Sequence, residues 1–157
     1  MNTKLKATIL FLLFSVPIFS QNLNIEDFFI VIKQEKIHLG DSLIKYDPLC
    51  GTKKVQTKET VNMKYKIFDY SWGKVYTSFY SDDYTIFGIE ITDNSVSIIK
   101  NIQIGTSEQQ VEALLGNPAF ERDHEVYYYN DDFDVLEICI KYNNENIVSA
   151  ISLFMGT

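Results

Sequence analysis

The chain has 157 residues, 46% hydrophobic and 14% aromatic, with 14 Lys and Arg against 21 Asp and Glu. A net charge of −7 disfavours nucleic acid and anionic membrane surfaces as partners, because binding phosphate requires a basic patch. Eleven Phe and ten Tyr carry too much apolar surface for a disordered chain, and two Cys are too few for a disulfide scaffold.

Residues 1–20 read MNTKLKATILFLLFSVPIFS. Lys4 and Lys6 precede an apolar run from Ala7 to Phe19, interrupted by Ser15 and Pro17. That run is shorter than the roughly 20 residues that span a bilayer. The pattern predicts a secretory signal peptide over 1–20, cleaved near Ser20 or Gln21. No Cys follows as a lipid acceptor, so the expected location is periplasmic or extracellular, with no stable membrane anchor after cleavage. Cleavage leaves 12 basic against 21 acidic side chains, a net charge of −9.

Next comes Asn24 to Lys33. Asn24 with Asp27 suits a helix start, and Ile25, Phe28, Phe29 and Ile32 share a helical face. Phe28 to Ile32 equally suits a buried strand; a helix is the expectation.

Two segments then resemble each other. Ile37–Lys53 reads IHLGDSLIKYDPLCGTK and Ile102–Pro118 reads IQIGTSEQQVEALLGNP. At an offset of 65, Ile37/Ile102, Gly40/Gly105, Ser42/Ser107, Leu49/Leu114 and Gly51/Gly116 are identical. In the second segment Gly105 permits a turn, and Ser107 with Gln110 forms a capping box, although Thr106 with Gln109 fits equally well. Val111, Leu114 and Leu115 make one apolar face, Gly116 ends the helix, and Pro118 blocks its continuation. In the first segment Pro48 limits the helix to a turn or two. Cys50 takes the position of Leu115 and is expected to be buried.

Three β-rich stretches follow each segment: 63–70, 75–80 and 84–92 after the first, 125–130, 135–142 and 146–154 after the second. Polar turn residues separate them. The last stretches align at an offset of 62, matching Gly88/Ala150, Ile89/Ile151 and Ile91/Leu153. The expected fold class is α+β: two tandem repeats, 21–98 and 99–157, each a short helical element packed on an antiparallel β-meander.

The pattern Ile-x-Ile-Gly-Thr-Ser-x-x-x-Val-x-x-Leu-Leu-Gly-x-Pro, followed by a Tyr-rich meander, resembles the SmpA/OmlA-type outer-membrane assembly lipoproteins and the β-lactamase-inhibitor-protein-like fold. The resemblance implies a helical element on one face of a small antiparallel sheet, and two tandem copies look like the inhibitor. It covers Ile102 to Phe154 well and the first half loosely. This chain lacks the lipoproteins' lipidated Cys, and Cys50 and Cys139 lie in different halves, unlike the inhibitor's disulfides. Fold does not carry function, so no β-lactamase target is implied.

Alternation puts Leu136, Ile138, Ile140 and Tyr142 on one strand face, with Glu137, Cys139 and Lys141 on the other. Cys50 and Cys139 then lie on opposite sides of a sheet. An oxidising compartment favours a disulfide, while this facing argument opposes one. His38 and His124 stand in no metal-ligand spacing. The acidic stretch Asn130-Asp131-Asp132-Phe133-Asp134 carries Lys141 where a calcium loop needs a bidentate Glu, so it reads as a solvated turn. Neither a metal nor another cofactor is expected, and no enzymatic activity.

The aromatic residues are the remaining signal. Tyr127, Tyr128 and Tyr129 are consecutive on a strand, so at least one faces away from the helix. Tyr and Trp combine an apolar body with a polar tip and are enriched at protein interfaces. The candidate partner-binding residues are Trp72, Tyr76, Tyr80, Tyr127, Tyr129, Glu137 and Lys141. The expected function is a non-catalytic secreted or periplasmic protein-binding module, of inhibitor/immunity type or an envelope-assembly accessory. Its partner would be another protein with a basic patch rather than nucleic acid. The alternative is a small-ligand or peptide carrier with a pocket between helix and sheet.

Overall fold

The computed structural model describes residues 23–61, 63–79, 83–130 and 136–156. The signal peptide expected over 1–20 therefore lies outside the described residues, as do Asp131 to Asp134 of the acidic stretch. The structure is mixed α and β, with two short helices, a three-stranded sheet and an eight-stranded sheet, all of whose pairings are antiparallel.

A single 3-10 turn, Ile25–Asp27, opens the described chain, with the Asn24 amide donating to the Asp27 carboxylate at 2.9 Å. The helix expected over Asn24 to Lys33 goes no further. Phe29–Ile32 forms strand β1, which pairs with β2 (Glu35–His38) through a turn in which Lys33 and Gln34 both have positive φ. The reason is burial on both faces: Phe28, Phe29, Ile30 and Ile32 are all in the core. A helix would turn Val31 and part of the run toward water, whereas a doubly covered strand hides a continuous apolar run. Strand β7 (Ser97–Ile98) pairs with β1 on its other side, Ile30 opposite Ile98. The boundary expected between 98 and 99 falls immediately after it.

Helix α1 spans Leu43–Cys50 and α2 spans Glu108–Leu115, eight residues each. Pro48 inside α1 agrees with a helix of only two turns. The capping box on α2 is Ser107 with Gln110, the Gln110 amide donating to the Ser107 hydroxyl at 3.3 Å. Val111 and Leu115 are fully buried and Leu114 packs at the core's edge. Cys50 is buried, like Leu115, and both cysteines are free thiols.

The large sheet has the order β3-β4-β5-β6-β11-β10-β9-β8. Its first four strands are β3 (Lys53–Glu59), β4 (Lys64–Tyr70), β5 (Gly73–Ser78) and β6 (Ile86–Ile91). The last four are β8 (Phe120–Arg122), β9 (Glu125–Tyr129), β10 (Leu136–Tyr142) and β11 (Val148–Met155). Each half of the chain thus contributes four consecutive strands, and the halves meet where β6 pairs with β11, Ile91 opposite Ile151 and Ile89 opposite Leu153. The three β-rich stretches expected in each half are present. Each half also has an extra, solvent-exposed edge strand, β3 or β8.

The connections from helix to sheet are the same in both halves. The amides of Gly40 and Gly105 donate to the carbonyls of Ile86 (2.7 Å) and Val148 (3.0 Å). The amides of Ile86 and Val148 return to Asp41 and Thr106, each at 2.9 Å. Those of Leu43 and Glu108 donate to Tyr84 and Asn146, the two residues of these loops with matching φ of 53° and 57°. Gly40 and Gly105 have φ of 91° and 96°, which L side chains rarely adopt, and open space lies where a Cβ would project. The turn's backbone, not crowding, requires glycine there.

The core is one cluster. It joins the small sheet, both helices and one face of the large sheet, with Ile89, Ile91, Ile138, Ile140, Ile151 and Leu153 at its centre. Among the described residues no element covers the other face of the large sheet.

Candidate functional site

Strict alternation builds the open face. On β5, Val75 and Thr77 are buried while Lys74 and Tyr76 are partly exposed; on β9, Val126 and Tyr128 are buried while Tyr127 and Tyr129 are partly exposed. Register then lines these residues up across strands. One row runs Tyr76, Gly88, Phe154, Glu137, Tyr129 across β5, β6, β11, β10 and β9. At the usual strand spacing it is about 19 Å long. A parallel row runs Lys74, Glu90, Ser152, Cys139, Tyr127, Phe120, and beyond it Lys141 stands opposite Glu125.

The tyrosines are held by carboxylates. The Tyr76 hydroxyl donates to Glu90 at 2.7 Å, and Lys74 approaches the same carboxylate at 3.4 Å. The Tyr127 hydroxyl donates to Glu125 at 2.8 Å, and Lys141 donates to the other oxygen at 2.9 Å. Lys141 and then Tyr127 hold the Glu125 carboxyl below its ordinary range. Partial burial, and then the bond to Glu90, pushes the Tyr76 phenol well above its ordinary value; for Tyr127 the bond to Glu125 does most of this. Both tyrosines therefore stay neutral donors in a fixed orientation. Aromatic neighbours lock the rings: Tyr76 lies 5.4 Å from Phe154 and 6.2 Å from both Tyr65 and Phe87, and Tyr127 lies 5.6 Å from Phe120.

Five of the expected site residues, Tyr76, Tyr127, Tyr129, Glu137 and Lys141, share this face. Tyr80 lies outside the described residues. Trp72 does not belong to the face: only 4% exposed, it stacks on Tyr70 at 5.4 Å and donates its ring N–H to the Cys50 carbonyl at 3.1 Å, closing the end of α1. It occupies the turn before β5, outside any strand's alternation, and the helix end recruits it. Tyr128 is likewise buried, its hydroxyl 3.3 Å from the Gly116 carbonyl at the end of α2. Tyr65, Phe87, Phe154 and Phe120 complete the open face and were not among the expected residues. Strand parity carries the signal for Phe154, because Ile151 and Leu153 must point inward.

Cys139 is partly exposed on this face, Cys50 is in the core on the other side, and burial raises both thiols to about 11. They are protonated at neutral pH and therefore poor nucleophiles.

Compared with protein-family models, curated proteins and solved structures, the chain matches none of them.

Three clefts open on the described surface. One is at the start of α2 beside Glu145 and Asn146, one lies between Glu108 of α2 and the sheet, lined by Glu121 to Val126 and by Tyr142, and one lies beside Thr52 to Lys54 and Asp69 to Ser71. Most of the residues that line them are polar or charged, which suits solvent rather than an apolar ligand. Among the described residues no group of three or more His, Cys, Asp or Glu side chains is arranged to hold a metal ion.

Proposed function

We propose that the protein is a non-catalytic, secreted or periplasmic binding module whose open sheet face, centred on Tyr76, Tyr127 and Tyr129, docks onto another protein. The observation that carries this reading is the fixed presentation of partly exposed tyrosines by Glu90 and by the Glu125–Lys141 pair. Ordering side chains at an interface costs about 0.5–1.5 kcal/mol each, and rings already held in place avoid most of that cost. On the same face Lys74 and Lys141 offset Glu90 and Glu125, and Glu137, which makes no ion pair among the described residues, is the carboxylate that favours a partner with a basic patch.

The module is built from two copies of one unit, helix then meander, joined through β6 and β11. The matching hydrogen bonds of Gly40 and Gly105, at the offsets of 65 and 62 residues seen in the sequence, support this reading. A helix on one sheet face with the other face open is also what the resemblance to β-lactamase-inhibitor-like and SmpA/OmlA-type proteins implies. Inhibition, immunity and envelope assembly all belong to this class. The carrier reading is less favoured, because the residues that line these clefts, including the one between α2 and the sheet, are mostly polar or charged.

The test is affinity capture from an envelope extract, comparing the native protein with Tyr127→Ala plus Tyr129→Ala and with Tyr76→Ala. Loss of the same captured band with both variants is the expected result. Equal capture by all three proteins removes the open face from the reading.

A further inference from the structure

Strand β3 stands apart from the rest of this acidic chain. It forms one edge of the large sheet, paired with β4 on one side and with no strand on the other among the described residues. Its seven residues pair with β4 without a register shift, and six of the seven are exposed. An edge that long and unbulged is a template for a further strand. Its chemistry is also reversed. From 53 to 78 the chain carries Lys53, Lys54, Lys58, Lys64, Lys66 and Lys74 against only Glu59 and Asp69, although the whole chain has a net charge of −7.

These lysines divide by whether they have a partner. Lys53 pairs with Asp47, Lys64 lies 3.8 Å from Glu59, Lys66 donates to the Tyr84 hydroxyl at 3.0 Å, and Lys74 meets Glu90. Lys54 and Lys58 share the open-face parity of β3 and make no ion pair among the described residues. Four residues apart on a strand, their Cα atoms are separated by about 13 Å. On the opposite parity, Val55 is 51% exposed at the edge of the core.

We propose that β3 is a docking edge for an extended acidic segment of a partner protein, which joins the sheet as a ninth strand. Main-chain bonds to β3 supply the affinity. Carboxylates at alternate positions of the segment meet Lys54 and Lys58, and an apolar residue of the other parity covers Val55. Edge lysines also keep like edges apart. Here that repulsion disfavours β3 pairing with β3 of a second copy, while an acidic strand is attracted. This site adjoins the open face, whose parity Lys54 and Lys58 share, and lies at the opposite end of the sheet from Tyr127.

The probe is a fluorescein-labelled peptide of alternating Glu and Val, seven residues long. Its controls are the same peptide with Lys for Glu and the same peptide with alternate backbone nitrogens methylated. Anisotropy is read with the full-length protein and with Lys54→Glu plus Lys58→Glu, whose fold is checked by circular dichroism. The expected result is binding of the Glu peptide, at least ten-fold weaker binding of each control and of the double variant, and slowed hydrogen exchange in β3 on peptide addition. Equal affinity for the Glu and Lys peptides, an unaffected double variant, no binding, or protection confined to other strands overturns the proposal. So does concentration-dependent self-association that the Glu peptide reverses, since the occupant of the edge is then a second copy of this chain.

Discussion

Phe154 lies across Gly88, and a Cβ added at position 88 would come within 2.3 Å of the ring. The absent side chain at 88 is what lets Phe154 reach Tyr76. Gly88→Ala is expected to lift the ring and cost about 1–3 kcal/mol, measured by urea unfolding, because the paired strand leaves little room to relax. Thr77 presents the opposite case. Its hydroxyl is fully buried on β5 and has no hydrogen-bond partner among the described residues. Thr77→Val keeps the shape and removes the unsatisfied group, so it is expected to stabilise the fold by about 1 kcal/mol in the same assay. Glu125 governs a pH response. Its carboxyl is depressed from 4.5 in the folded protein, so its hold on Tyr127 and Lys141 is complete above 4.5 and is lost as the pH falls through the lower folded value. Partner capture through Tyr127 is expected to weaken over that acid range. Glu125→Gln should give the weakened level at neutral pH and a flatter profile.

The two helices share a length but not a cap. The Ser107 hydroxyl accepts the Gln110 amide, whereas the Ser42 hydroxyl donates to the Asp83 carbonyl at 2.7 Å and makes no bond to its own helix. Ser107→Ala is therefore expected to cost about 1 kcal/mol through the lost cap. Ser42→Ala acts instead on the loop before β6, so only the first substitution should speed amide exchange in the first turn of its helix. The elements legible in the sequence are those that bury one side. The alternation Leu136, Ile138, Ile140, Tyr142 marks β10, and the spacing Val111, Leu114, Leu115 with Ser107 and Gln110 marks α2. Strands β3 and β8 were not legible because they bury almost nothing: KKVQTKE and FER carry no hydrophobic period, and the neighbouring strand alone makes them strands. Phe28 to Ile32 fits both periods, and contact with β2 and β7 decided it. Parity placed Tyr76, Tyr127 and Tyr129 correctly on one face. It had no hold on Trp72, which sits in a turn.

At the scale of the molecule, the decisive contact is between β6 and β11. It turns two four-stranded meanders into one sheet and leaves no polar boundary between them, since Ile89, Ile91, Ile151 and Leu153 are all fully buried. The full chain is expected to unfold in urea as one transition by both circular dichroism and Trp72 fluorescence. A chain ended after Ile98 would expose the β6 edge and half the core, and should show no cooperative transition. Charge is distributed at the same scale: the lysines gather at the β3 end and the carboxylates of the second half at the other, so net acidity describes the sum and not either end. Periodicity and capping are interactions between residues a few positions apart, and the helix ends, most strands and the direction of most side chains could be read from them. Which strand lies beside which, what covers Trp72, and whether an edge is paired or open depend on residues far apart in the chain. Hydrogen-bond partners and buried neighbours at that distance exist only once the sheet has closed.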